Sequence, residues 1–155
     1  MGRKQSCGAA WYHKGCFYAG IAWRPEADIS ENAVVLATGC TDSRASLWSA
    51  SGQLLQRLTG HTNRLGKVAF HPCGSYLGTA SFDGTWRLWD VESGETILEQ
   101  EGHSRAVYAL AFHPDGSLAL SGGLDAYGAP LLALFHLPTG WLFSGSSVLQ
   151  NALGR

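Results

Sequence analysis

Histidine, hydroxyl and aspartate side chains occur twice in this chain in the same order, and these are the residue types of a hydrolase triad. The two sets are His61, Thr79 and Asp83, followed by His103, Ser121 and Asp125. A histidine placed between a carboxylate and a hydroxyl group could activate that hydroxyl as a nucleophile. A catalytic triad is normally built once, in a cleft, whereas these two sets are related by a constant step of 42 residues. The recurrence favours a structural role, and the sequence predicts no catalytic residue and no enzyme.

Cysteine and histidine near the amino terminus raise the alternative of a zinc site. Cys7, His13 and Cys16 could supply three ligands, but a fourth ligand and a regular C-x-x-C spacing are both missing from the sequence. The amino-terminal stretch is polar and lacks the apolar core of a secretory signal. We therefore predict that all four cysteines (the other two are Cys40 and Cys73) are reduced thiols in an intracellular compartment, with no metal bound.

Composition limits the classes of partner. The chain has 155 residues, of which 45% are hydrophobic and 15% charged, so a packed core is expected rather than disorder. Its formal net charge of −1 lacks the basic surplus of a protein that holds nucleic acid by its own field, so any association with RNA should be indirect. The most apolar stretch, 131–143, is interrupted by His136, Pro138 and Gly140, and it predicts no membrane span.

An internal repeat is the main organising signal. Matching tracts occupy Lys67–Ser75 and Ala109–Ser117, and each follows a Gly-His pair. Trp48 and Trp89 are separated by 41 residues, and a looser copy begins near Ile21 with extra residues around 27–32. A period of this length predicts a stacked array of similar units.

Local sequence predicts that each unit consists of β-strands. In the best-preserved copy, the apolar and β-branched runs are Leu65–Phe70, Tyr76–Ser81, Trp86–Trp89 and Thr96–Leu98. His71-Pro72-Cys73-Gly74 is typical of a type I turn. Asp83-Gly84 predicts a two-residue hairpin turn in which both residues have positive φ.

The Gly-His pairs, the Pro-x-Gly turns, the recurring aspartates and the Trp89-Asp90 dipeptide together resemble the WD-repeat family. The resemblance covers roughly 19–128 and implies an all-β fold of about three WD-repeat β-propeller blades, each a four-stranded antiparallel sheet, in an incomplete ring. It also implies a hydrogen-bonded structural tetrad of His61, Thr79, Asp83 and Trp89. His103, Ser121 and Asp125 would supply the same roles in the next blade.

Two terminal segments depart from the repeat. Residues 1–18 match nothing in the other copies. After Gly128, the next Trp-Asp should fall near 131–132, where the chain has Leu131-Leu132, and the next Gly-His near 144–145, where it has Ser144-Gly145. Residues 129–155 are therefore interpreted as a divergent apolar tail and not as the second half of a blade.

A finer resemblance concerns the WD-repeat subunits of the U4/U6 small nuclear ribonucleoprotein. It rests on the runs 85–90, 97–104, 107–108, 115–119 and 122–128. The resemblance implies a nuclear scaffold for splicing proteins of the U4/U6·U5 tri-snRNP, without cofactor or small-molecule substrate. The alternative is a WD-repeat adaptor of another complex, such as a substrate receptor of a cullin ubiquitin ligase. Those receptors carry Trp-Asp-x-Arg, whereas here Glu92 stands at the arginine position.

Loop residues on one face of such a propeller supply a candidate docking patch. Arg64 and Arg105 lie in the loops that lead into two blades, and Phe82 and Leu124 each precede the turn aspartate of a blade. Aromatic and arginine side chains are enriched at binding hot spots, so these four residues are predicted to bind protein. The alternative is that the arginines are only solvated and that Phe82 packs on its neighbour.

Overall fold

The computed structural model describes residues 17–27, 30, 32–101, 103–124, 130–136 and 141–144, the last two ranges as backbone only. Asp125 lies outside this part of the chain, as do Cys7, His13 and Cys16, for which no zinc binding was predicted. The described residues form only β-strands and their connections, as the sequence predicts. Within the same ranges there is no helix that is long and apolar enough to cross a membrane.

The strands form three antiparallel four-stranded sheets, each a simple meander. The first sheet contains β1 (Tyr18–Trp23), β2 (Val34–Cys40), β3 (Ala45–Ser49) and β4 (Leu54–Leu58). The second contains β5 (Leu65–Phe70), β6 (Tyr76–Ser81), β7 (Thr85–Asp90) and β8 (Thr96–Glu101). The third contains β9 (Val107–Phe112), β10 (Leu118–Leu124), β11 (Pro130–His136) and β12 (Trp141–Ser144).

Turn chemistry fixes the connections of the second sheet. The turn between β5 and β6 is closed by the Gly74 N–H, which donates to the carbonyl of His71 at 2.8 Å. The hairpin between β6 and β7 differs from its prediction, because three residues connect the strands and only Gly84 has positive φ (+90°), not Asp83. In such a connection, a type I turn precedes a single left-handed residue, so only the last position needs glycine.

The third sheet corrects the interpretation of residues 129–155 as a segment outside the blades. Strand β11 pairs along its whole length with β10, from Leu118↔His136 to Leu124↔Pro130, and β12 pairs with β11. Ladder hydrogen bonds come from the backbone, so a strand can pair without the tryptophan and Gly-His signature. Residues 130–136 and 141–144 therefore complete the third blade.

The sheets stack face to face in chain order, with β1 and β2 against β5, and β5 and β6 against β9. The core between the first two sheets consists of large buried side chains, which include Leu47, Leu65, Leu77 and Trp89. The core between the second and third includes Ala80, Trp86, Leu88, Leu110 and Ala119. Burying one such aliphatic or aromatic side chain is worth roughly 1.5–3 kcal/mol, so these two interfaces hold the array together.

The first sheet has the same topology with a longer connection between its first two strands. This connection runs from 24 to 33, whereas the equivalent one in the second sheet runs from 71 to 75, which agrees with the extra residues predicted near 27–32. At the end of β2, Cys40 is disulfide-bonded. The prediction of reduced thiols is therefore wrong for Cys40, while Cys73 is a free and exposed thiol.

Candidate functional site

A chain of hydrogen bonds runs through the second sheet and joins all four residues of the predicted tetrad. The indole N–H of Trp89 donates to Oγ1 of Thr79 at 2.8 Å. The same hydroxyl lies 2.8 Å from Nε2 of His61, and Nδ1 of His61 lies 2.8 Å from Oδ2 of Asp83. Three elements are thereby linked, because His61 comes from the loop before β5, Thr79 from β6 and Trp89 from β7.

The protonation of His61 follows from its surroundings. Burial is the largest influence and keeps its pKa below the ordinary value of 6.5, although the hydrogen bond and charge of Asp83 act in the opposite direction. A neutral ring with its proton on Nδ1 gives an acceptor to every polar hydrogen in this series of hydrogen bonds. The Trp89 N–H then donates to Thr79, the Thr79 O–H to His61 Nε2, and the His61 N–H to Asp83.

Asp83 accepts hydrogen bonds on both of its carboxylate oxygens. Oδ2 accepts from the backbone N–H of Thr62 as well as from His61, and Oδ1 accepts from the N–H and hydroxyl of Thr85 at 2.9 and 2.7 Å. Burial raises the pKa of Asp83, but the bonds from Thr85 and His61 outweigh burial and hold it below its ordinary value of 3.8. The carboxylate therefore stays ionised and ties the loop before β5 to the hairpin after β6.

The order hydroxyl, imidazole, carboxylate is that of a nucleophilic triad, but its surroundings oppose catalysis. Thr79 is 0% exposed and His61 8%, so a substrate carbonyl has no route to the hydroxyl. The Thr79 oxygen also accepts the Trp89 N–H, which lowers its capacity to attack. The arrangement satisfies buried polar groups and fastens strands together.

A glycine allows this close packing at the start of the loop. A Cβ atom at Gly60 would lie 2.5 Å from a guanidinium nitrogen of Arg87 and 3.1 Å from the ring of Trp89. Only glycine fits beside the tryptophan without displacing these side chains. The Gly-His pair thus combines a close approach with the hydrogen-bonding imidazole.

The other two sheets contain parts of the same device. In the third sheet, Nε2 of His103 lies 2.9 Å from Oγ of buried Ser121, while the third predicted member, Asp125, lies outside the described residues. In the first sheet, the indole of Trp48 donates to Oγ1 of Thr38 at 2.9 Å. Sequence reasoning missed Thr38, although it precedes Trp48 by ten residues just as Thr79 precedes Trp89.

The four predicted docking residues and Tyr108 lie along one rim, which we define as Arg64, Phe82, Arg105, Tyr108 and Leu124. The guanidinium carbon of Arg64 lies 3.9 Å from the centre of the Phe82 ring, and that ring meets Tyr108 edge-on at 4.7 Å between centroids. Tyr108 is 46% exposed and was missed from the sequence, where the only signal was an aromatic residue at the start of β9. Phe82 does pack on a neighbour, yet Arg64 remains exposed.

Contacts between loops hold this rim in place. The hydroxyl of buried Ser81 donates to the carbonyls of Asn63 and Arg64, and the Phe82 N–H donates to the Arg64 carbonyl at 2.9 Å. A Cβ atom at Gly84 would lie 3.4 Å from the Arg105 carbonyl oxygen, so the hairpin of the second sheet touches the loop that leads into the third.

Leu124 completes the rim at the end of β10. Its side chain is exposed, and the preceding Gly123 packs against the loop of His103 and Ala106. The structure thus brings the residue next to Leu124 against the loop that contains Arg105, and it places Arg64 and Phe82 in direct contact.

Comparisons with known proteins agree with this architecture. The family model described as "WD domain, G-beta repeat" matches residues 52–90 and 94–127. The first match begins before β4 and ends with β7, and the second spans β8 to β10 and ends at 127. Each match therefore joins the outer strand of one sheet to strands of the next.

Curated relatives resemble this chain over part of their length. A nuclear distribution protein PAC1 of Tuber melanosporum is 44% identical over 73 residues, which are 47% of this chain and 16% of the relative. A nuclear distribution protein PAC1-2 of Uncinocarpus reesii is 36% identical over 90 residues, 58% of this chain and 20% of the relative. An uncharacterised WD repeat-containing protein of Schizosaccharomyces pombe is 51% identical over 68 residues, 41% of this chain and 15% of the relative.

These similarities support the WD repeat as the feature that this chain shares with its relatives. None of the three relatives has a splicing name, so the resemblance to the U4/U6 subunits gains no support from them. The chain spans a fifth or less of each relative's length. The matched family model, the three four-stranded sheets and the hydrogen-bonded tetrad together show that this chain contains WD repeats folded as β-propeller blades.

Proposed function

We propose that this chain is a non-catalytic scaffold whose blades present a docking rim to partner proteins. The observation that carries the proposal is the exposed Arg64 stacked on Phe82, with half-exposed Tyr108 beside them. Arginine and aromatic side chains held in fixed positions lose little conformational freedom when a partner binds, which is why they dominate interface energies. The burial of Thr79 and His61 supports the non-catalytic part of the proposal.

The finer proposal names the partners as splicing proteins of the U4/U6·U5 tri-snRNP in the nucleus. Its support is the resemblance of the runs within 85–128 to the U4/U6 subunit known as pre-mRNA-processing factor 4. The net charge of −1 supports an association with RNA through proteins and not by direct contact.

A second candidate role is in nuclear distribution. Two of the relatives carry that name, at 44% identity over 73 residues and 36% identity over 90 residues. WD-repeat blades are shared by proteins of many functions, so similarity over so small a part of each relative favours the class of scaffold more than the pathway.

One capture experiment tests the docking proposal and separates the two roles. The 155-residue chain is immobilised and exposed to nuclear extract, and the bound proteins and RNA are identified by mass spectrometry and sequencing. Wild type is compared with the triple variant Arg64→Glu, Phe82→Ala, Arg105→Glu, and with Arg57→Glu on the outer strand β4 as a charge-reversal control away from the rim.

Tri-snRNP proteins that are retained by wild type and by the Arg57 variant, but lost with the triple variant, are the expected result. Recovery of nuclear distribution proteins with the same rim dependence would replace the splicing role by the second candidate. Equal capture by the triple variant and wild type would refute docking at the rim.

A further inference from the structure

We propose that the rim, in the docking role proposed above, recognises an acidic segment of a partner protein that carries an aliphatic side chain next to its carboxylates. The inference rests on three exposed cationic side chains around the aromatic pair and on an apolar hollow beside them.

The cations are Arg64, Lys67 and Arg105, all exposed. Within the ranges that the structure describes, none of the three forms an ion pair. Asp83, the acidic residue of the adjoining hairpin, accepts bonds from His61 and Thr85 and is therefore committed to the tetrad. A partner that brings carboxylates to this surface would complement it electrostatically.

The Arg64 side chain is preorganised to bind a carboxylate. Its guanidinium group is held 3.9 Å from the centre of the Phe82 ring, so less side-chain freedom is lost when a carboxylate binds. A guanidinium can donate two parallel N–H bonds to one carboxylate, which gives the contact a direction as well as a charge. The Phe82 edge contact with Tyr108 fixes the ring in turn.

A hollow of about 240 Å³ adjoins the aromatic pair, with Lys67 and Tyr108 in its wall. Its floor is formed by small or aliphatic residues, namely Ala109, Ala111, Leu120 and Gly122. The hollow is small for a drug-sized ligand but suits one aliphatic side chain. Because a cation stands beside an apolar floor, the best occupant is an aliphatic residue with a carboxylate close to it in sequence.

Single-stranded nucleic acid would need a different surface. Proteins that bind it combine a basic groove along many phosphates with aromatic faces on which bases stack. Here one face of Phe82 is covered by Arg64, its ring is in edge contact with Tyr108, and the formal net charge of the chain is −1. The observations therefore favour a peptide.

The test is fluorescence anisotropy with the complete 155-residue chain and four labelled probes. The probes are a short peptide of glutamate and leucine, the same peptide with glutamine for glutamate, the same peptide with serine for leucine, and an oligouridylate. We expect the glutamate–leucine peptide to bind best, with salt weakening it, and the glutamine version to bind about tenfold more weakly.

Variants assign the binding to the two halves of the site. Arg64→Glu with Arg105→Glu should weaken the glutamate–leucine peptide about tenfold, whereas Arg57→Glu should leave it unchanged. Ala111→Gln places a polar side chain on the exposed floor and should remove the preference for leucine over serine. Circular dichroism of each variant checks that the sheets are intact.

Equal binding of the glutamate and glutamine peptides, or tighter binding of the oligouridylate, would overturn the inference. Failure of the acidic peptide together with rim-dependent capture of a partner from extract would overturn only the acidic chemistry. Capture of partners that is equally strong for wild type and for the rim variants would overturn the docking role itself.

Discussion

Removal of the His61 imidazole should destabilise the second blade through the groups that it leaves behind. In His61→Ala, the hydroxyl of Thr79 loses its acceptor at 2.8 Å while it remains 0% exposed. A buried polar group left without a partner costs about 1–3 kcal/mol. Asp83 loses one bond but keeps those from Thr62 and Thr85, so its contribution is smaller. We expect a loss of about 2 kcal/mol in the free energy of unfolding.

Urea denaturation followed by far-ultraviolet circular dichroism measures this loss. The chain provides a matched control, because His113 and Asp115 form a second histidine–aspartate pair with the same 2.8 Å separation, but both side chains are more than half exposed. His113→Ala should therefore leave the unfolding midpoint unchanged. The two variants differ in that His61 is buried and also bonds Thr79, whereas the His113 side chain is more than half exposed.

A second variant tests the next residue in the same series of hydrogen bonds. Thr79→Val leaves both the Trp89 indole N–H and Nε2 of His61 without a partner, so its loss should equal or exceed that of His61→Ala. The double variant should lose less than the sum, since both changes break one network. If His61→Ala destabilises no more than His113→Ala, or removes a hydrolytic activity without changing stability, the structural interpretation is refuted.

Three further predictions concern the dependence of stability on pH, the pKa of a surface aspartate and the packing between the second and third sheets. Stability should fall as the pH drops below about 6.5, because the pKa of His61 is lowered in the folded state and the unfolded chain therefore takes up the proton first. It should fall again below about 3.8, because the pKa of Asp83 is also lowered in the folded state. Urea midpoints of wild type that stay constant across this pH range would contradict both expectations. Ser117→Ala should raise the pKa of Asp115 from about 2 towards its ordinary value, because it removes the hydroxyl whose hydrogen bond lowers that pKa most, and an unchanged NMR titration would contradict this. Gly78→Ala should cost about 1–3 kcal/mol of unfolding free energy, because its Cβ would lie 2.5 Å from a leucine methyl of the third sheet, and an unchanged midpoint would argue against that packing.

The second blade was predictable because its determinants are local. The runs Leu65–Phe70 and Tyr76–Ser81 are bounded by turn residues that end one strand before the next begins, and the structure has both strands with these bounds. The tetrad residues were implied by the resemblance to the WD-repeat family, and antiparallel register then carries their fixed sequence offsets into fixed positions in space. Neither inference needed information from a neighbouring sheet.

The features that were missed depend on backbone pairing or on contacts between sheets. Strands β11 and β12 pair through main-chain groups, so their lack of a repeat signature did not prevent them from joining the third sheet. Tyr108 meets Phe82 only because β9 stacks beside β5 and β6, which no local pattern reveals. The positive φ predicted for Asp83 was wrong because a three-residue connection was mistaken for a two-residue turn.

Amide hydrogen exchange of the chain, alone and bound to a partner captured from extract, tests most directly whether the blades dock proteins through their rim. The account predicts slower exchange on binding in three loops that adjoin one another, at 62–64, 82–84 and 103–105, with the outer strand β4 unchanged. Protection confined to β4 and β8, with the three loops unaffected, would contradict it.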